Sequence, residues 1–345
     1  MNHGPIDLLV EAFGAPEEVE TAYRQAANRF ETILDELVAE LPELRQPSGG
    51  KPRSFAGPTA RRMEEAACRF ADVFVTPMAA VAGSVADEML AAMTEGRRLD
   101  RAYVNDGGDI AIYLAPGQSM KAVIAGTGHG FADRLEIQAE DPVRGIATSG
   151  WRGRSFSLGI ADAVTVLAKD GATADVAATL IANAVDLPGH PAIRRERACD
   201  LAPDSDLGER LVTTDVGPLG ENEIAEALER GLAVAEAYRR RGLIEAAALF
   251  LCGEVCVSGE FLSRKLAPYV APLWPAGHLP LKGGDYTVTD ANSNRQRCRT
   301  GADVSASLIS SLEGEMAALR QKLRRPEGGN VGRHPTKSSM EPHHA

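Results

Sequence analysis

The order in which local patterns follow one another along the chain, helical, then strand-rich, then helical again with a closing strand, predicts an α+β fold. Three observations carry that expectation. Residues 16–41 show a long apolar stripe with a 3.6-residue period, the pattern between Arg101 and Ala168 changes to short β-prone runs broken by Gly and Pro, and helical character returns at 173–185 and 222–241.

In chain order, Val19, Tyr23, Ala26, Phe30, Ile33, Leu34, Leu37 and Leu41 form one helical face flanked by acidic residues, an N-terminal amphipathic helix. Gln46-Pro47-Ser48-Gly49-Gly50-Lys51-Pro52 then clusters turn formers, so 1–50 is expected as a helical segment separated from the body by an exposed loop. Its apolar face must dock on that body or on a second copy, and a homodimer is expected. Two helices follow at 59–71, opening on a Thr59 cap, and at 78–93. Strands are expected at 111–114, 122–125, 135–138 and 163–167, and a last buried strand at 248–258 holds Cys252 and Cys256 as buried structural thiols. The core therefore runs over 51–262. Beyond it, 263–345 is Pro-, Gly-, Asn-, Arg- and Ser-rich with one helical island at 304–323, an extension expected to be largely irregular and disordered over its last ~20 residues.

Composition narrows the function. The 345 residues include 37 Lys and Arg against 48 Asp and Glu, a net charge of −11, which disfavours a nucleic-acid backbone as principal ligand. No apolar run reaches the ~20 residues of a membrane span, and the opening residues lack a basic stretch followed by an apolar one, so the expected address is the cytoplasm with no membrane partner. Five scattered cysteines do not make a disulfide framework.

Three segments concentrate unusual local sequence. Val104-Asn105-Asp106-Gly107-Gly108-Asp109-Ile110 reads as a β-hairpin turn or as a loop whose glycines let a ligand approach the backbone. Gly145-Ile146-Ala147-Thr148-Ser149-Gly150-Trp151-Arg152-Gly153-Arg154-Ser155 reads as a polar turn leading into a strand after Ser155 or as an anion site, with hydroxyls, backbone N–H groups and two arginines in an acidic chain. In Gly171-Ala172-Thr173-Ala174-Asp175-Val176-Ala177-Ala178-Thr179, Thr173 is a plausible helix cap. Asp175 and Thr179, four residues apart, share one helix face, which serves the helix dipole or a hard cation such as Mg²⁺.

In order and content these segments resemble the ApbE-like superfamily, whose well-known members are Mg²⁺-dependent FAD:protein FMN transferases. Asn105, Gly107, Gly108 and Asp109 match its Asn-x-Gly-Gly-Asp motif, Ala147, Thr148, Ser149 and Gly150 its Ala-Thr-Ser-Gly motif, and Ala174, Asp175, Ala178 and Thr179 its Ala-Asp-x-x-Ala-Thr helix. Residues 52–259 resemble more closely a cytoplasmic side branch, the uncharacterised protein family 0280, through 151–163 and His190-Pro191-Ala192-Ile193-Arg194-Arg195. The resemblance implies a mixed or antiparallel sheet with packed helices and a phosphate-bearing small-molecule ligand such as FAD or FMN. It further implies Mg²⁺ at Asp175 and Thr179, and a ligand contacted by Asn105, Gly107, Gly108, Asp109, Thr148, Ser149 and Gly150. Two departures are visible: Leu158-Gly159-Ile160-Ala161-Asp162 stands where transferases carry His-Ile-x-Asp-Pro, and the helix over 79–87 lacks the family's Lys. His129 and His190 are the remaining titratable candidates for acid–base work. A transferase and a non-catalytic ligand-binding or accessory protein on the same fold are both compatible with these residues.

Overall fold

A computed structural model describes residues 1–123, 134–260 and 262. The expectations for His129, the 304–323 island, the C-terminal tail and the end of the 122–125 strand lie outside the described residues.

The described strands are β1 (Asn2–His3), β2 (Ile6–Gly14), β3 (Leu99–Asp106), β4 (Asp109–Leu114), β5 (Ser119–Val123), β6 (Arg134–Gln138), β7 (Gly145–Ser149), β8 (Ala163–Ala168), β9 (Ile193–Arg197), β10 (Leu211–Val216), β11 (Ala246–Leu251) and β12 (Glu254–Ser258). The helices are α1 (Pro16–Ala39), α2 (Leu41–Leu44), α3 (Pro58–Cys68), α4 (Val81–Thr94), α5 (Gly171–Ala184), α6 (Ala198–Leu201) and α7 (Glu221–Arg240), with a 3₁₀ turn at Pro77–Ala80 before α4. Among the described residues the main sheet has the order β1-β2-β3-β4-β7-β8-β11-β12, and β5-β6 and β9-β10 form separate ribbons. Every pairing in the main sheet is antiparallel, so the α+β expectation holds.

Strand alternation divides the side chains between two cores. Val104, Ala111, Ala147, Val164, Val166, Ala247 and Leu249 pack against α1, α4, α5 and α7, among Ile33, Met89, Ile181 and Leu228. Ile112, Ile146, Ala163, Leu167, Ala248 and Phe250 face the other way and meet Leu135 and Ile137 of β6. β8 and β11 are buried along their whole length because both faces are covered.

Several expectations are corrected. Residues 1–50 are not purely helical or detached, because β2 pairs with β3 inside the main sheet. Nor does α1 present a free apolar face: Ala22, Ala26, Phe30, Ile33 and Leu37 are buried in the chain's own core, the three large ones contributing roughly 1.5–3 kcal/mol each. The stripe that argued for a homodimer is thus covered from within. The Thr59 cap is replaced by Gly57 as the residue before α3, with Thr59 buried inside the helix. Gly145–Ser149, read as a polar turn, is a strand built from residues small enough for α5 to pack closely: a Cβ on Gly145 would collide with the Asp170 carbonyl. The expected strand at 248–258 is a hairpin. Its turn places Cys252 in the open at φ 51°, and Cys256 is half-buried, so neither is a fully buried thiol.

Candidate functional site

The turn between β3 and β4 is Gly107-Gly108, with φ of 65° and 119°. Only glycine takes both values without strain, and two such residues make the tight connection that matches strand twist. The hairpin reading of this segment is therefore correct, and it creates the site. Asp106 and Asp109 are register partners across the turn, and by alternation both share the helix-side face with Val104 and Ala111. Asn105 Oδ1 accepts from the Gly108 N–H at 2.8 Å, an Asx-type brace for the turn. Asp109 Oδ1 accepts from the Thr148 N–H at 3.2 Å, tying the turn to β7.

Asp175 approaches from the helix layer. Its carboxylate accepts from the Gly83 N–H at 3.0 Å, and from that of Ala82, in the first turn of α4. The arrangement is reciprocal, because Asp87 of α4 accepts from the Gly171 and Ala172 N–H groups of α5 at 2.9 and 2.8 Å. Each helix start is thus satisfied by a carboxylate of the other. The crossing requires glycine at Gly83, where a Cβ would collide with the Gly171 carbonyl.

Burial lifts these carboxyls. Asp106 is pushed up to about 6 and Asp109 to about 7 from an ordinary 3.8, the Arg154 charge opposing the rise at both. Asp175 is raised well above its ordinary value by burial and by the neighbouring Asp109 and Asp106. Asp175 and Asp109 keep part of their surface accessible, so they line a recess rather than lying sealed in the core. One basic side chain guards it: Arg154 lies over the turn so closely that a Cβ on Gly107 would collide with its Nη2.

The other expected residues divide. Thr179 is half-buried one turn after Asp175, and Ser149 shares the helix-side face with Ala147. Gly150 is needed where the chain passes the Asp162 carbonyl, which a Cβ would strike. Thr148 contributes only its N–H, since its hydroxyl lies on the opposite sheet face, 2.9 Å from the Thr165 hydroxyl. Thr173 does not cap α5: Asp170 does, accepting from the Thr173 N–H at 2.7 Å, and the Thr173 hydroxyl accepts from Arg69. Arg152 is held by Asp162 at 2.8 Å and stacks on Trp151. His190 has both ring nitrogens engaged, Nε2 with Glu223 Oε1 at 2.9 Å and Nδ1 with the Ala192 N–H at 3.2 Å.

Asp106, Gly83 and Asp87 were missed as site residues. The Asp-Gly-Gly-Asp spacing was a legible signal for the first, since a two-residue turn returns both aspartates to one face.

Among the described residues no three His, Cys, Asp or Glu side chains stand close enough together to enclose a metal ion. The donor set still fits Mg²⁺, which takes one or two carboxylates and completes its octahedron with water and ligand phosphates. Asp175 and, one turn on, Thr179 carry hard oxygen donors on one face of α5, each with part of its surface accessible.

Fold and recess together define a class: an antiparallel-sheet protein with helices packed on one face and an acidic, glycine-rimmed recess at the β3–β4 turn. The chain belongs to the family described as AbpE bacteria, whose model matches residues 1–257. It is 37% identical over 173 residues to a UPF0280 protein of Methanothrix thermoacetophila, covering 49% of this chain and 70% of that one. A UPF0280 protein of Methanopyrus kandleri is 35% identical over 144 residues, 40% of this chain and 55% of the relative, and several further relatives are matched over only about half their length. Among solved structures, a histidine-to-glycine mutant of the flavin transferase ApbE from Vibrio cholerae aligns at 17% identity and a TM-score of 0.31, covering 74% of this chain and 79% of that one.

Proposed function

We propose that this protein binds a phosphate-bearing small molecule of the flavin-nucleotide class, FAD or FMN, together with Mg²⁺ held by Asp175 and Thr179. The observation that carries the reading is that Asp106 and Asp109 at the β3–β4 turn and Asp175 on α5 stand close enough for the first two to raise the third, with Arg154 opposing the rise only at Asp106 and Asp109. Burial and like charge disfavour the ionised carboxylates, and a bound cation favours them. When bound, Mg²⁺ neutralises a diphosphate and stabilises charge on a leaving phosphate oxygen. The chain's own residues do the rest: Gly107 makes room for the Arg154 guanidinium while Gly108 leaves open space beside the turn, Arg154 pairs with a phosphate oxygen, and Asp109 can hold or accept a proton near neutrality.

A second reading, binding without turnover, is favoured by His190. It is one of two histidines among the described residues and has no free ring nitrogen, and Leu158–Asp162 offers no replacement histidine. Incubation with FAD and Mg²⁺, with and without EDTA, separates the cases. Metal-dependent flavin retention lost in Asp175→Ala is expected. Release of AMP with FMN assigns cleavage of the diphosphate, FMN free in solution marking water as the acceptor and FMN bound covalently to protein marking transfer, and retention without AMP assigns the binding role. Flavin uptake indifferent to EDTA and to Asp175→Ala removes the site assignment.

A further inference from the structure

The outer face of the sheet, opposite the acidic recess, holds a cleft of about 560 Å³, within the range of small-molecule sites. It exists because cover is uneven: β8 and β11 are buried on both faces, whereas the outer face of β2 and β3 is only partly roofed by the β5–β6 ribbon. Leu9, Phe13, Tyr103 and Ile112 supply its apolar surface. Leu9 is 52% exposed there, an unusual position for a large aliphatic side chain in a strand.

Its charge is as telling as its shape. The Arg101 guanidinium stacks 4.3 Å from the centroid of the Phe13 ring and reaches the Ser119 carbonyl at 3.4 Å, a long contact. In a chain of net charge −11, it has no carboxylate partner among the described residues, as Arg61 and Arg144 have none, but unlike them it stands in a cleft lined by aromatic rings. Glu11, the acidic group lining the cleft, accepts from the Tyr103 hydroxyl at 2.9 Å instead, and Lys121 is a second cation in the same lining. An aromatic wall beside a cation that lacks a counter-ion is a recognition surface for a ring carrying negative charge.

We propose that this cleft binds an aromatic small molecule bearing one anionic group, its ring against Phe13 and Leu9 and its anion on Arg101. The site is separate from the Asp175 recess and stands without the flavin reading, because strand alternation sends Arg101 and Tyr103 to one face and Asp106 and Asp109 to the other.

Calorimetric titration of the full chain with 1-naphthalenesulfonate and with uncharged 2-naphthalenemethanol tests this. Saturable binding is expected, with the sulfonate tighter by about three- to tenfold, the range of one charge-assisted contact. Arg101→Gln should reduce the preference, Lys121 remaining in the lining, and Arg101→Lys should restore part of it. Leu9→Glu, at an exposed position, should weaken the sulfonate further with an unchanged circular dichroism spectrum. Asp175→Asn should leave naphthalenesulfonate affinity as it was while removing metal-dependent flavin retention, which keeps the failure of one site distinct from that of the other. No saturation up to millimolar probe, or an affinity indifferent to both Arg101→Gln and Leu9→Glu, overturns the proposal.

Discussion

Glu64 on α3 and Asp109 at the β3–β4 turn are both carboxylates taken deep into the protein, and they are treated in opposite ways. Glu64, with a side chain 0% exposed, receives the Arg53 guanidinium at 2.7 Å together with the Ser48 hydroxyl and the Arg53 N–H. Although burial opposes it, these partners hold its carboxyl below the ordinary value. Asp109 has one N–H and a more distant arginine against two neighbouring aspartates, and it is pushed up to about 7. The same contrast separates Glu88, clasped between Arg29 and Arg62 at 2.9 and 3.0 Å, from Asp175. At Glu64 and Glu88 the chain supplies the counter-charge itself; at the recess, and at Asp87, which is met by backbone N–H groups and pushed up to about 6, it does not. Carboxyls perturbed in this way are concentrated at functional sites.

The comparison predicts opposite signs for similar substitutions. Glu64→Ala leaves the Arg53 guanidinium, 29% exposed, with only the Glu43 and Gln46 carbonyls to accept from it and should cost about 3 kcal/mol in urea unfolding. Gly83→Ala should follow at about 2–3 kcal/mol, since its Cβ meets the rigid backbone of α5 rather than a side chain that can move. Asp175→Asn keeps an acceptor for the Gly83 N–H but cannot supply a carboxylate to the metal, so it should weaken Mg²⁺-dependent ligand binding about tenfold or more, about 1.4 kcal/mol, while raising the urea midpoint at neutral pH, because the carboxyl it replaces is held well above its ordinary value. Asp109→Asn should stabilise the ligand-free protein by about 1 kcal/mol at pH 8; destabilisation there would place Asp109 with Glu64 as an architectural group.

The pH dependence sharpens the same contrast. Asp106, Asp109 and Asp87, at about 6, about 7 and about 6 in the folded state, ordinarily sit at 3.8. Between those values the folded chain binds more protons than the unfolded chain, so their contribution to stability is greatest below pH 4 and is lost as pH rises to about 7. Glu64, held low, contributes in the other direction and loses its effect only in acid. The recess component of the decline between pH 5 and 7.5 should shrink in Asp109→Asn and on adding Mg²⁺, as followed by thermal unfolding.

Much of the scaffold was legible. The stripe of α1, the α5 and α7 segments and the strands β4, β6 and β8 stand in the sequence as periodicity, because one buried face repeats every 3.6 or 2 residues. β7 was not, since Gly145-Ile146-Ala147-Thr148-Ser149 is small and polar enough to pass for a turn. It is a strand because α5 packs against it where only small residues fit. β2 was hidden by apolar residues on both faces: Ile6, Leu8 and Ala12 fill the core while Leu9 and Phe13 line the outer cleft.

For the site, the sequence by itself determined the turn glycines, the aspartates beside them and the Asp175–Thr179 spacing on one helix, because each depends on neighbours a few residues away. Only the tertiary structure decided which of these meet. It sent the Thr148 hydroxyl to the far face while keeping its N–H on Asp109, and set Asp175 against α4, whose Gly83 lies 92 residues away. It likewise left Arg101 on the outer face without a carboxylate partner among the described residues. Side-chain direction in a strand follows its register with distant partners, and charge compensation follows what those partners bring; neither is written in local spacing.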